Sequence, residues 1–345
     1  MPKNIVVCTD GTWNHPDQTN RPTDDTNVVK LFQLLAGNSA RGPKMEKEAD
    51  GQVAFYDDGV GADGNKAVQV VQGMTGTGLD VKLQDAYGFI INHYAPGDRI
   101  YLFGFSRGAY TARSLGGMLV RCGVPSTDTS NDATAREALK VYRQNMAATT
   151  DQFRTRYQVR DVVIEVIGVW DTVGALGIPL KLFGDLDQLF FRFHDTALHQ
   201  NVRFGYHAVA IDEKRESFPP TLWDPREGIE QVWFPGVHSD VGGGYPESGL
   251  SNVTLAWMLE KVKPHGIIFE EGTFDTDGNP VLKGDPLMTP MHDSYKPPFI
   301  TPLGPAPRVI PVSAALHTSV KERLENVALA YEPTNLPPEP RKYVD

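Results

Sequence analysis

Short, mainly apolar runs alternate along this chain with segments whose apolar residues recur every three or four positions. The runs have the length of buried strands and occur at 5–8, 53–56, 100–103, 162–170 and 229–234. Helical spacing is found at 28–35, 79–94, 109–119, 132–146, 201–211, 252–262 and 313–330. Because strands alternate with helices, the pattern predicts an α/β fold, with a mostly parallel sheet and helices on both of its faces.

No internal repeat or low-complexity linker interrupts this pattern, so we expect the 345 residues to form one domain, 1–345. Two segments depart from the pattern. Residues 176–200 are rich in leucine and phenylalanine, which predicts either ordinary helix packing or a lid or acyl-chain wall beside the site. Residues 264–308 are rich in proline, glycine and acidic residues, which predicts an irregular surface excursion.

A candidate nucleophile lies between a predicted strand and a predicted helix. The sequence Gly104-Phe105-Ser106-Arg107-Gly108 fits G-x-S-x-G. In this context the pattern is typical of a nucleophile elbow, in which a strained turn holds the serine hydroxyl above the sheet edge. A side chain at either glycine would collide with the neighbouring strand or helix. The alternative is a glycine-rich turn with an idle serine, which the strand and helix around it make the weaker interpretation.

A hydrolytic triad also needs a base and a carboxylate, and loops after predicted strands supply both. Asp171 follows the strand 162–170, and His238 follows a later strand and precedes a run of glycines. The chain order Ser106, Asp171, His238 is the order expected of an α/β-hydrolase. Asp240 is a second candidate for the carboxylate. It lies only two residues from His238, so it would reach the ring only if the loop doubled back.

Two backbone amides are candidates for the oxyanion hole, those of Thr12 and Arg107. Arg107 follows the candidate nucleophile at the start of a helix, where backbone N–H groups face developing negative charge. Thr12 lies in the polar loop after the first predicted strand. That loop has a second interpretation, a tight turn that the Asp10 side chain ties down. The sequence favours neither interpretation over the other.

Composition narrows the classes of partner and compartment. The formal net charge of −10 argues against nucleic acid as a partner and against tight docking on anionic lipid, so we expect any membrane-surface contact to be transient. Cys8 and Cys122 lie beside apolar residues and are expected to be buried thiols, with no metal-binding cysteine pattern. Without a leader or a transmembrane-length run, we expect a protein made in the cytoplasm, with any export independent of a cleaved signal.

Several blocks of the chain resemble one known family. The blocks are 8–14, 96–113, 169–174 and 234–245, with shorter stretches at 317–320 and 335–337. Over nearly its whole length the chain is similar to the uncharacterised α/β-hydrolase family that includes the catalytic domains of type VI secretion phospholipase effectors. The resemblance implies an enzyme that hydrolyses lipid esters with a Ser-Asp-His triad, here Ser106, Asp171 and His238.

The leading hypothesis is a serine hydrolase of apolar or phospholipid carboxylic esters, which requires no metal and no organic cofactor. Residues 8–12 also resemble the D-x-D-G-T signature of haloacid-dehalogenase-type phosphatases, but Cys8 replaces the nucleophilic aspartate. A third hypothesis is a non-catalytic binding module on a hydrolase scaffold, against which the complete set of serine, aspartate and histidine argues. A metal site at His238 and Asp240 has too few ligands to be specified.

Overall fold

The computed structural model describes residues 2–11, 25–39, 44–58, 77–126, 131–174, 198–282, 287–296 and 304–345. Within these ranges the strands form one continuous ten-stranded sheet. In chain order the strands are β1 (Asn4–Thr9), β2 (Asn38–Ser39), β3 (Lys44–Ala49), β4 (Gln52–Asp57), β5 (Arg99–Phe105), β6 (Ile164–Trp170), β7 (Val202–Ala210), β8 (Ile229–Phe234), β9 (Ala315–His317) and β10 (Lys342–Val344).

The strands lie in the order β10-β9-β8-β7-β6-β5-β1-β4-β3-β2. Every neighbouring pair from β10 to β4 is parallel, and β3 and β2 extend one edge antiparallel. Parallel strands place their carboxyl ends along the same edge of a sheet, where α/β proteins build their sites. The residues that follow β5, β6 and β8 are therefore brought to one edge, and they include Ser106, Asp171 and the loop before His238.

Helices cover both faces of this sheet. Their bounds are α1 (Asn27–Leu34), α2 (Thr77–His93), α3 (Arg107–Cys122), α4 (Asn131–Gln144), α5 (Ala147–Tyr157), α6 (His238–Gly242), α7 (Gly249–Val262) and α8 (Thr318–Glu325). α1 and α7 pack on one face, and α2 to α5 pack on the other. Alternate residues of β1 enter the two cores, as the two-residue period of a strand requires. The predicted fold class, a mostly parallel sheet with helices on both faces, is confirmed.

The prediction for residues 201–211 is wrong, because they form the strand β7 and not a helix. Val202, Tyr206 and Val209 recur at helical spacing, which favours a helix when only the sequence is considered. In the structure β7 lies between β6 and β8. A strand covered on both faces does not need to alternate polar and apolar residues, so its sequence loses the two-residue signature.

The sequence did not predict the strands and the helix whose apolar residues show little periodicity. The strands β2, β3, β9 and β10 are short or mainly polar, and α5 buries only Phe153 and Tyr157. The predicted helix 313–330 is the strand β9 followed by α8. Edge strands and lightly packed helices bury too few side chains to impose a strong apolar period.

The two segments that stand out in the sequence have different outcomes. The predicted lid, 176–200, lies outside the described residues except for its last three. The described residues of 264–308 form the end of a 3-10 helix (Lys263–His265), turns and isolated bridges, but Arg308 at the end of this segment is only 5% exposed. Among the helices that the structure describes, none has the length and apolar character needed to cross a membrane.

Candidate active site

Ser106 occupies a strained turn between β5 and α3. Its φ of 58° and ψ of −123° lie in a region of backbone conformation that residues other than glycine rarely adopt. The flanking glycines explain how the turn closes. A Cβ at Gly104 would lie 2.4 Å from the carbonyl oxygen of Gly108, and a Cβ at Gly108 would lie 2.1 Å from that of Thr9. The sequence Gly104–Gly108 therefore has the geometry of a nucleophile elbow.

Replacing Gly108 with alanine is expected to lower the free energy of unfolding by about 1–3 kcal/mol or more and to reduce activity, because the new methyl group meets rigid backbone. Gly88 in α2 is the matched control. In the part of the chain that the structure describes, no atom outside the neighbouring backbone of the helix lies within 4 Å of a Cβ added there, so Gly88→Ala is expected to stabilise the helix by about 0.5–1 kcal/mol. Thermal unfolding measures both variants, and equal responses would contradict the close packing of the elbow.

His238 lies next to Ser106 at the start of α6. Its Nε2 is 2.8 Å from Ser106 Oγ, and its ring is buried between Phe105 and Phe218, with ring centroids 4.6 and 5.0 Å away. Burial lowers the pKa of the His238 imidazole below its ordinary value of 6.5, against the opposing effect of Asp171. The imidazole is therefore a free base at neutral pH, positioned to accept the hydroxyl proton of Ser106.

Asp171 lies on the other side of the imidazole, at the end of β6. Its Oδ2 is 2.5 Å from His238 Nδ1, and its Oδ1 accepts a hydrogen bond of 2.9 Å from the backbone N–H of Ala210. Arg308 donates to both carboxylate oxygens. Burial alone would raise the pKa of the Asp171 carboxyl, but the Arg308 guanidinium and the hydrogen bond from His238 hold it well below its usual range. Asp171 is therefore ionised.

Three carboxylates, two of them on buried residues and that of Asp212 on a half-buried one, hold the loop that carries His238. They accept hydrogen bonds from three successive backbone N–H groups: Gly236 to Asp212 Oδ2 (2.6 Å), Val237 to Asp240 Oδ2 (3.1 Å) and His238 to Glu213 Oε2 (3.2 Å). Burial raises the pKa of the Asp212 carboxyl to about 6, whereas hydrogen bonds and charge from Arg215 overcome burial and lower that of Glu213 to about 2. These three hydrogen bonds fix the position of the histidine relative to the sheet.

The second candidate carboxylate, Asp240, points elsewhere. Its Oδ1 lies 2.6 Å from His292 Nδ1, and its Oδ2 accepts from the backbone N–H groups of Val237 and His292. The structure thus places Asp171 beside the His238 ring, whereas Asp240 accepts a hydrogen bond from the backbone of the loop that carries His238.

The two oxyanion candidates have unequal support. Arg107 is the first residue of α3, so its backbone amide lies at a helix N-terminus directly after Ser106, where the helix dipole favours negative charge. Thr12 lies outside the described residues. Asp10 does tie down its own loop, because it accepts from the Gly11 N–H at 2.7 Å.

Asp10 also accepts hydrogen bonds from Thr26 and Tyr56, at 2.6 and 3.0 Å. Burial raises the pKa of its carboxyl to about 7 despite these bonds. Cys8, which occupies the place of the nucleophile in the phosphatase signature, is fully buried in β1. The contacts of Asp10 and the burial of Cys8 give the phosphatase hypothesis no support. Over the described ranges, histidine, cysteine and acidic side chains form no group able to hold a metal ion.

Sequence reasoning missed Glu213 and Arg308. Glu213 follows the end of β7 by three residues, and recognition of that strand would have placed it at the sheet edge that carries Ser106. Arg308 has no local signal, because it lies in a proline-rich stretch and its partners are distant in the sequence.

A serine, a histidine and an aspartate in this arrangement, at the carboxyl edge of a mostly parallel sheet, define the α/β-hydrolase class. Residues 3–261 match the family model of the type VI secretion system phospholipase effector Tle1-like catalytic domain. The chain therefore belongs to this family, and the resemblance noted in the sequence is confirmed.

The chain also resembles individual proteins. An uncharacterized protein of Saccharomyces cerevisiae is 29% identical over 257 residues, which cover 67% of this chain and 34% of the yeast protein. A solved structure of an uncharacterized Pseudomonas aeruginosa protein has a TM-score of 0.48 at 21% identity, over 78% of this chain and 47% of the other. The Tle1 effector bound to the VgrG spike has a TM-score of 0.41 at 18% identity, over 71% and 51%. This chain thus spans about a third of the yeast relative.

Proposed function

We propose that this chain is a serine hydrolase that cleaves carboxylic esters of lipids with the triad Ser106, His238 and Asp171. The observation that carries the proposal is an unbroken chain of contacts, 2.8 Å from Ser106 Oγ to His238 Nε2 and 2.5 Å from His238 Nδ1 to Asp171 Oδ2. A nucleophile, a base and an orienting carboxylate in contact are the working parts of acyl transfer by a serine enzyme.

In this mechanism Ser106 Oγ attacks the ester carbonyl carbon while His238 Nε2 takes the hydroxyl proton. The oxyanion that forms is stabilised by backbone N–H groups, for which Arg107 and Thr12 are the candidates. The protonated His238 then gives its proton to the departing alcohol, which leaves an acyl group on Ser106. Water attacks this acyl-enzyme, His238 takes the water proton and returns it to Ser106, and the carboxylic acid is released. Asp171 stabilises the imidazolium throughout.

Lipid or phospholipid acyl esters are the proposed substrates. The family description names a phospholipase catalytic domain, and the half-buried ring of Phe218 provides apolar surface beside His238. The net charge of −10 favours transient contact with a lipid surface over stable adsorption on anionic headgroups. We further propose that the protein is made in the cytoplasm and that transient contact with a lipid surface brings it to its substrate.

The test combines covalent labelling with product analysis. A fluorophosphonate is expected to modify the folded protein at Ser106, mapped by peptide mass spectrometry, and the protein is expected to release fatty acid from phosphatidylcholine vesicles. Ser106→Ala should abolish both signals, because it removes the nucleophile. Ser126→Ala is the control, since the Ser126 hydroxyl bonds the carbonyl of Gln158 away from the site.

Each outcome separates the hypotheses. Folded wild-type protein without an adduct at Ser106 would contradict the serine-hydrolase mechanism. Labelling at Ser106 without fatty-acid release would retain the mechanism and reject phosphatidylcholine as substrate. Magnesium-dependent release of phosphate, unaffected by Ser106→Ala, would instead favour a phosphatase.

A further inference from the structure

Arg308 contacts both carboxylate oxygens of Asp171. Its Nη1 is 2.6 Å from Asp171 Oδ1 and its Nη2 is 2.9 Å from Asp171 Oδ2. The same two nitrogens donate to the carbonyl oxygens of Ala210 and Phe218, each at 2.8 Å. The Arg308 side chain is only 3% exposed, and that of Asp171 is fully buried. The guanidinium and the carboxylate therefore form a two-pronged ion pair inside the protein.

This ion pair determines which carboxylate lone pair faces the imidazole. Each carboxylate oxygen of Asp171 accepts two hydrogen bonds, on Oδ1 from Ala210 N–H and Arg308 Nη1 and on Oδ2 from Arg308 Nη2 and His238 Nδ1. Two oxygens offer about four acceptor sites in all, so every site is filled. Because each carboxylate oxygen is bonded to a different Nη atom of Arg308, the carboxyl group cannot rotate without breaking both of these hydrogen bonds.

We propose that Arg308 is a positioning residue for the reaction at Ser106: it locks the Asp171 carboxylate in the orientation that accepts from His238 and offsets its negative charge. This inference rests on the proposed function, because it concerns the same site. Arg308 does not touch the reacting atoms in this proposal and acts only through Asp171.

The charge on Arg308 has a consequence for the pH dependence of the base. His238 faces Asp171, and it also faces Glu213 and Arg215, which form a salt bridge of 2.8 Å with each other. On its own helix, Asp240 is engaged with His292. With Arg308 present, each of these carboxylates has a cationic or histidine partner. Without Arg308, His238 faces an uncompensated carboxylate, which favours the imidazolium and raises the pKa of the histidine.

A purely structural role is the alternative, since a buried arginine that binds backbone carbonyls also ties segments together. Arg323 provides the comparison. It is also buried, at 2% exposure, and its Nη1 donates to the carbonyl oxygens of Leu287 and Thr289. Removal of either arginine is expected to lower the melting temperature. Arg308 is bonded to the carboxylate that contacts the His238 ring, whereas the charge of Arg323 acts on Asp212, so we expect removal of Arg308 to cause the larger change in the titration of His238.

The experiment measures the rate of Ser106 labelling by a fluorophosphonate as a function of pH, which requires no knowledge of the natural substrate. In the wild type, we expect the labelling rate to fall on the acid side of the pH profile, at a pH below 6.5, because burial lowers the pKa of His238. We call this fall the acid limb. Arg308→Gln is expected to move this limb up by about one pH unit and to slow the plateau rate by about tenfold to a hundredfold. Arg308→Lys keeps the positive charge but cannot donate from two nitrogens of one planar group. It should therefore lower the plateau labelling rate without moving the acid limb.

Two further variants decide between positioning and structure. Arg323→Gln is expected to leave the acid limb in place. Combining Arg308→Gln with Asp171→Asn is expected to be no slower than Asp171→Asn alone, because Arg308 has nothing left to orient. An unmoved limb in Arg308→Gln, or additive losses in the double variant, would overturn the inference.

Two outcomes complete the test. If Arg308→Gln, Arg308→Lys and the double variant all fail to fold, Arg308 is a structural residue and the inference is overturned. If the folded wild type is not labelled at Ser106, the proposed function itself fails. The two failures are therefore distinguishable by the behaviour of the wild type alone.

Discussion

Replacing Ser106 with alanine is expected to lower kcat for ester hydrolysis by a factor on the order of 10⁶, and replacing His238 with alanine should cost nearly as much. The reason lies in their contact: Ser106 Oγ and His238 Nε2 are 2.8 Å apart and carry out one proton transfer together. A serine without its base is a poor nucleophile, and a base without the serine has no proton to take. The double variant should therefore lose little beyond either single one.

Steady-state hydrolysis of a p-nitrophenyl ester of medium chain length measures all three variants, with thermal unfolding as the control for folding. Ser114→Ala is a matched substitution on α3, because Ser114 is also buried but lies two helical turns beyond the elbow. It is expected to retain catalysis within about tenfold, as for a substitution outside the reacting groups. Multiplicative losses in the Ser106 and His238 double variant would contradict a shared proton-transfer step.

The parts of the fold that could be predicted are those in which local pattern and burial agree. The strand 229–234 coincides with β8 because it ends in three fully buried residues and is followed by a proline and a glycine that stop it. The α2 helix is recognisable for the same reason, since its buried side chains recur on one face and Pro96 and Gly97 follow it. β7 has the opposite property, because cover on both faces removes the period that would identify it.

The sequence predicts those residues of the candidate site that the strand order alone brings to one edge of the sheet. Ser106, Asp171 and His238 follow parallel strands, so their common edge follows from the strand pattern and from their order along the chain. Arg308 could not be predicted, because its contact with Asp171 joins residues 137 positions apart and depends on the path of an irregular segment. Glu213 was hidden only by the error over β7.

Asp171→Asn is expected to lower kcat by about 10³ to 10⁴ while the protein stays folded. Four hydrogen-bond donors point at the Asp171 carboxylate, from Ala210, His238 and both Nη atoms of Arg308. An asparagine amide presents a donor of its own at one of the two oxygen positions. Of the four partners only the imidazole can become an acceptor, by moving its proton from Nδ1 to Nε2. The Nε2–H then points at Ser106 and cannot take its proton.

Asp240→Asn tests the assignment from the other side. The Asp240 carboxylate accepts from the backbone N–H of Val237 and pairs with His292, so its loss should lower the melting temperature and leave kcat within about tenfold of the wild type. The two variants are compared by kcat at a pH above the acid limb, where His238 is unprotonated in both. A rate for Asp171→Asn within about tenfold of wild type, with Asp240→Asn as slow as Ser106→Ala, would require the carboxylate of the triad to be reassigned to Asp240.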